Sequence, residues 1–107
     1  MERLMEKRTE RVFIYILTNK RYGTLYIGLT TNLVKRMEEH RNKIVKGFTE
    51  KYNLTQLVYY EIHDDIHVAA HRERVMKKWK RAWKIALIEK QNPHWADLYA
   101  DLKRKAV

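Results

Sequence analysis

Cysteine is absent, which excludes a disulfide framework and any catalysis through a thiolate. No apolar run approaches the ~20 residues that a membrane-spanning helix requires. The opening residues MERLMEKRTER carry acidic side chains and lack an apolar stretch, so they do not read as a secretory signal. Together these absences lead us to expect a cytoplasmic protein. Internal repeats, linkers and low-complexity segments are missing too, and Pro93 is the one proline. Residues 54–71 contain no Lys or Arg at all, against three acidic side chains.

Elsewhere the chain is strongly basic. Across 107 residues, 23 Lys and Arg face 13 Asp and Glu, for a formal charge of +10 and a pI near 9.9. Residues 72–90 hold eight basic and two acidic side chains, and residues 35–53 hold six and three. Charge gathered on two segments is a footprint for a polyanion, with nucleic acid ahead of an anionic membrane surface. A merely solvated cationic coat would be spread more evenly. The length suits one domain, and three Trp with seven Tyr supply bulky rings for its core.

Val12 to Leu17 reads as a buried strand, with Phe13, Tyr15 and Leu17 sharing a face. Leu25 to Leu29 reads as a second strand, with Tyr26 and Gly28 on one face. The intervening NKRYG looks like a hairpin turn, which would set Tyr15 and Tyr26 side by side. From Asn32 the period becomes helical. Leu33, Met37 and Ile44 form an apolar stripe, and Thr31 or Asn32 caps the first turn. Arg36 and His40 lie on or beside that stripe, where a plain structural helix would be apolar.

Lys46 to Asn53 reads as a loop or short helical turn, with Phe48 and Tyr52 as candidate anchors to the core. Leu57 to Ile62 reads as a third strand, alternating Leu57, Tyr59 and Glu61 with Val58, Tyr60 and Ile62. A helix is expected from Ile66 to about Gln91, with Val68, Val75, Met76, Trp79, Ala82, Trp83, Ala86 and Leu87 as its core stripe. Glu73 falls at the edge of that stripe and Arg72 nearer its centre, which requires a break near residues 70–72 or an anion against Arg72. Pro93 stops the helix, and His94 to Lys105 is expected to form a last one. The fold class expected is thus α/β (α+β): a small three-stranded, mainly antiparallel sheet flanked by helices. Residues 1–11 are expected to be a helical or disordered lead-in to one domain over residues 12–107.

Tyr26-Ile27-Gly28, preceded by Phe13-Ile14-Tyr15 and followed by Arg36 and His40, resembles the GIY-YIG nuclease superfamily, in particular its small stand-alone branch. In the first tripeptide Phe13 replaces the family's Gly while Tyr15 is kept. Glu73 in HRERVMKKW matches the family's metal-binding Glu, and Asn92 in EKQNPHW a frequent Asn. The likeness runs from about Val12 to Tyr99. It implies a metal-dependent endonuclease cutting DNA, single-stranded or branched DNA included, with RNA left open as a substrate. A non-catalytic nucleic-acid-binding module that kept the fold is the alternative.

The resemblance implies that Glu73 binds one Mg²⁺ or Mn²⁺ ion, a hard cation that prefers oxygen ligands and keeps several waters. Arg36 would hold two phosphate oxygens through its planar fork. Tyr15 would activate or position the attacking water, His40 would accept a proton, Tyr26 would orient water or phosphate, and Asn92 would support by hydrogen bonding. Taken singly, each has a bland reading: core aromatics for the tyrosines, a core histidine for His40, an i,i+4 partner of Lys77 for Glu73. Lys46, Thr49, Lys51, Tyr52, Arg72, Lys77 and Lys80 are the expected nucleic-acid contacts. His63, His67 and His71 recur every four residues, a pattern that would suit zinc on one helical face, although His63 falls at a strand end.

Overall fold

A computed structural model describes residues 11–106, so most of the expected lead-in lies outside the described residues. Three strands, β1 (Val12–Thr18), β2 (Leu25–Thr30) and β3 (Gln56–His63), form one antiparallel sheet in the order β2-β1-β3. The helices are α1 (Leu33–Arg41), α2 (Phe48–Lys51), α3 (Ile66–Lys78), α4 (Arg81–Gln91) and α5 (Tyr99–Ala106). No described helix is long and apolar enough to cross a membrane. The α+β class expected from the sequence is the one observed.

The central strand β1 buries both faces, which is why VFIYILT is apolar throughout. On one face Tyr15 and Leu17 pack with Leu33 and Met37 of α1, Leu57 of β3 and Leu102 of α5. On the other, Val12, Ile14 and Ile16 pack with Ile27, Tyr59, Ala69 and Met76 of α3, and Ile88 of α4. Helices thus cover both sides of the sheet. Ile14, Ile16, Leu17, Leu33 and Met37 are fully buried, each contributing about 1.5–3 kcal/mol.

Four sequence-based expectations give way here. Strand β3 does not alternate cleanly. Ile16 pairs with Tyr59 and Leu17 with Leu57, which leaves Val58 as the extra residue of a β-bulge. Val58 and Tyr59 therefore join the same core, while Leu57 and Tyr60 belong to the opposite one. Second, the long helix is two helices. Trp79 and Lys80 adopt extended backbone with ψ near 150°, and Lys84 Nζ donates to the freed carbonyl of Lys77 at 3.3 Å. Third, α1 ends at Arg41, because Lys43 takes a left-handed φ of 57° and leaves Ile44 exposed. The last helix likewise starts only at Tyr99, after Trp95 turns the chain at φ 58°.

The break at residues 79–80 resets the buried stripe. On α3 it is Ala69 and Met76, not Val68 and Val75, which are exposed. Arg72 and Glu73 stand three and four residues after Ala69 and so share its inward side. Asp65 caps α3 by accepting from His67 N at 2.8 Å, and Asn32 caps α1 by accepting from Lys35 N at 3.1 Å. Arg81 donates to the carbonyls of Tyr22 and Gly23, which ties α4 to the hairpin turn.

Candidate active site

The hairpin places Tyr15 directly opposite Gly28. A Cβ at Gly28 would stand 2.4 Å from the Tyr15 Cζ and Oη, so the phenol occupies the space that a side chain there would fill. Tyr15 Oη lies 3.2 Å from His40 Nε2. Helix α1 aims His40 inward because it follows buried Met37 by three residues and Leu33 by seven. On its far side, His40 Nδ1 lies 3.0 Å from Thr49 Oγ1. Thr49 is buried because Gly47, at φ 106°, turns the chain into α2 with that residue facing the core. The Tyr26 ring completes the cluster, 6.2 Å from the Tyr15 ring and 5.9 Å from that of His40.

Charged groups surround this relay. Arg36 is one turn before His40 on α1, half-exposed, with NH1 3.3 Å from the Glu39 carboxylate. Helix α3 packs on the other face of the sheet, mainly along β2. The charge of Glu73, on α3, acts on the Tyr15 phenol together with those of Arg36 and Glu39. Its carboxylate is only 14% exposed and holds Lys77 Nζ at 2.9 Å.

Burial, then the neighbouring Tyr26, pushes the Tyr15 phenol well above its ordinary range, against the opposing pull of Arg36. Burial, then the Arg36 charge, pulls His40 below the ordinary imidazole range. Both groups are therefore neutral at pH 7. When Nδ1–H donates to Thr49 Oγ1, Nε2 is left as an acceptor for the Tyr15 O–H. That is the tautomer a proton-accepting imidazole needs.

The remaining expected residues fall into separate places. Asn92 is buried at the end of α4, where it donates to Val58 O at 3.0 Å and to Ala96 O at 2.9 Å. It satisfies the carbonyl of the bulged residue and is not brought to the relay. Arg72, expected to touch nucleic acid, gives Nε and NH2 to Glu61 at 2.7 and 3.0 Å. This is the carboxylate that its inward position required. Thr49, also expected to touch nucleic acid, faces His40 instead. Lys46 pairs loosely with Glu50, Lys51 lies over the Tyr52 ring, Lys80 over the Trp83 ring, and Lys77 holds Glu73.

Phe48 and Tyr52 are not core anchors. They are 48% and 41% exposed, their rings tilted against each other 4.8 Å apart, and Phe48 stacks on Tyr26 at 6.4 Å. Glu39 was not singled out from the sequence, since one acidic residue among several on α1 gives no signal until Arg36 is placed beside it. His63 pairs with Glu61, and no group of three metal-ligating side chains occurs among the described residues.

The family model described as the GIY-YIG catalytic domain matches residues 11–86. A UPF0213 protein of Syntrophus aciditrophicus is 39% identical over 84 residues, covering 76% of this chain and 92% of the relative. A UPF0213 protein of Clostridium perfringens is 35% identical over 80 residues, covering 75% and 85%. A third, from Desulfotalea psychrophila, is 34% identical over 89 residues, covering 81% and 79%. No solved structure gives a match. Asn92 lies beyond the residues that the family model matches.

Proposed function

This chain belongs to the GIY-YIG catalytic-domain family, a nuclease family, and from that premise we propose that it is a divalent-metal-dependent endonuclease acting on DNA. The observation that carries this reading is the Tyr15–His40 contact at 3.2 Å, with Arg36 and Glu73 both electrostatically coupled to the same phenol. Hydrolysis of a phosphodiester needs a proton acceptor, a cationic grip on the phosphate and stabilisation of the departing oxygen.

His40 is kept neutral by burial and oriented by Thr49, so Nε2 is available to take a proton passed through Tyr15. Tyr15 positions the attacking water, and Tyr26 flanks it. Arg36 exchanges Glu39 for two phosphate oxygens. A guanidinium keeps its charge at any relevant pH and matches them in a planar fork.

Glu73 fits a divalent cation on two grounds. It is a hard oxygen donor that already gathers positive charge, in the form of Lys77. A single carboxylate, moreover, suits Mg²⁺ or Mn²⁺, which fill the rest of their shell with water and phosphate oxygens. Bound there, the ion would act as a Lewis acid on the phosphate and steady the departing oxygen. Single-stranded or branched DNA is the favoured substrate, because the exposed Phe48 and Tyr52 rings continue outward from Tyr26 and offer faces to unpaired bases. A cytoplasmic setting suits a chain without cysteine.

The test is cleavage of single-stranded, duplex and branched DNA with Mg²⁺ or Mn²⁺, with and without chelator. Cutting is expected in metal only, with Glu73→Ala and Arg36→Ala each slower by about 100-fold or more. Tight binding with no metal-dependent cutting of any substrate would assign the chain to the non-catalytic module instead.

A further inference from the structure

Trp79 and Trp83 stand four residues apart in sequence, and helical periodicity assigns both to the core. The structure separates them. Trp79 packs against the core formed by α3, α4 and the sheet, while Trp83 leaves 54% of its surface exposed. Their rings meet edge to face, 6.3 Å apart, so the half-buried indole braces the exposed one. Lys80 Nζ sits 5.8 Å from the Trp83 centroid. Trp83 thus presents a large ring to solvent, braced from one side and with a cation beside it.

The electrostatics around it point to the partner. Residues 72–90 carry eight basic side chains and two acidic ones. Both carboxylates are already committed, Glu73 to Lys77 and Glu89 to the Trp95 indole N–H at 2.8 Å. Nothing here offers a counter-charge to a second copy of this basic face, whereas a polyanion with flat apolar rings matches it in both charge and shape. A duplex hides its base faces in the stack. An unpaired strand presents them.

We propose that Trp83 and Lys80, at the junction of α3 and α4, form a stacking site for an unpaired segment of DNA, separate from the Tyr15 cluster. Trp83 takes a base face, and Lys80 meets the adjoining phosphate. The site rests on the nucleic-acid reading above but adds a second point of contact, joined by the short Trp79–Lys80 link to the helix that carries Glu73.

The experiment is fluorescence anisotropy of labelled oligo(dT), oligo(U) and a matched duplex, in chelator so that nothing is cut, with the full chain, Trp83→Ala and Trp83→Phe. Because the side chain is exposed, circular dichroism melts of all three proteins are expected to coincide. Trp83→Ala should bind oligo(dT) about tenfold more weakly, with a smaller change on the duplex, and Trp83→Phe should recover most of the loss. Unchanged affinity in Trp83→Ala, or equal losses on single strand and duplex, would overturn the proposal. Tighter binding of oligo(U) than oligo(dT) at matched salt would overturn its assignment to DNA. Self-association of the full chain that Trp83→Ala abolishes would give the face to a second copy instead. Failure of the nuclease reading looks different: no metal-dependent cutting, with the oligo(dT) loss in Trp83→Ala still present.

Discussion

Two tyrosines on adjacent strands, pointing to opposite faces of one sheet, have opposite fates. Tyr15 meets a neutral imidazole at 3.2 Å, which is in turn held by a neutral hydroxyl at 3.0 Å. Tyr59 meets Glu61, whose carboxylate also takes a two-nitrogen fork from Arg72 and a contact from His63 at 2.7 Å. Burial pushes the Glu61 carboxyl up, but the hydrogen bonds from Arg72, Tyr59 and His63 outweigh it and hold the group at about 2. The second network is charge-compensated and saturated, so it has nothing left to give a reactant. The first has no formal charge on its own members and a movable proton. What sits at a buried tyrosine's oxygen is therefore decided by tertiary placement.

The largest break in this comparison is Tyr15→Phe, which keeps the ring over Gly28 and removes only the oxygen. Cleavage should fall by roughly 10²–10⁴-fold in single-turnover assays while the melting temperature stays nearly unchanged. Retained cutting would show that the relay is not chemical.

Next is Gly28→Ala. The added methyl meets the phenol at 2.4 Å, so the ring must shift off His40. Denaturant melts should show a loss of about 1–3 kcal/mol, and cleavage should drop with it. A variant that stays fully stable and active would mean that the close approach is not needed.

The smallest effect on activity sharpens the other side. Glu61→Gln should cost roughly 1.5–3 kcal/mol near neutral pH and leave cleavage close to that of the parent. Its carboxyl is held low in the folded chain, so the stability it gives is whole above the ordinary carboxylate range and is lost as pH falls towards 2. The difference in melting temperature between parent and variant should accordingly shrink across that window. His40 adds an earlier decline to both proteins alike, since the unfolded chain takes up a proton as pH falls through the ordinary imidazole range before the folded one does. A pH-independent difference between the two proteins would sink this account.

The hairpin, the start of the first helix and the inward aim of His40 were legible because periodicity and a two-tripeptide pattern act locally. What escaped was set by non-local packing. The Val58 bulge reverses the faces of Tyr59 and Tyr60 without any proline or glycine to announce it. The extended pair Trp79–Lys80 likewise interrupts a sequence whose propensities are helical throughout, so the exposed Trp83 was assigned to the core. Asn92 and Thr49 have side chains that serve equally well as scaffold or contact, and only their partners tell them apart.

One consequence follows from α1 and α3 covering opposite faces of the sheet. The Arg36 guanidinium and the Glu73 carboxylate are mounted on separately anchored struts, with the sheet as a shared chassis. A slide of α3 by a single ångström would alter the span between them while the phenol and imidazole, both seated on the other layer, stay in register. The spacing of Arg36 and Glu73 can therefore change while the Tyr15–His40 contact holds.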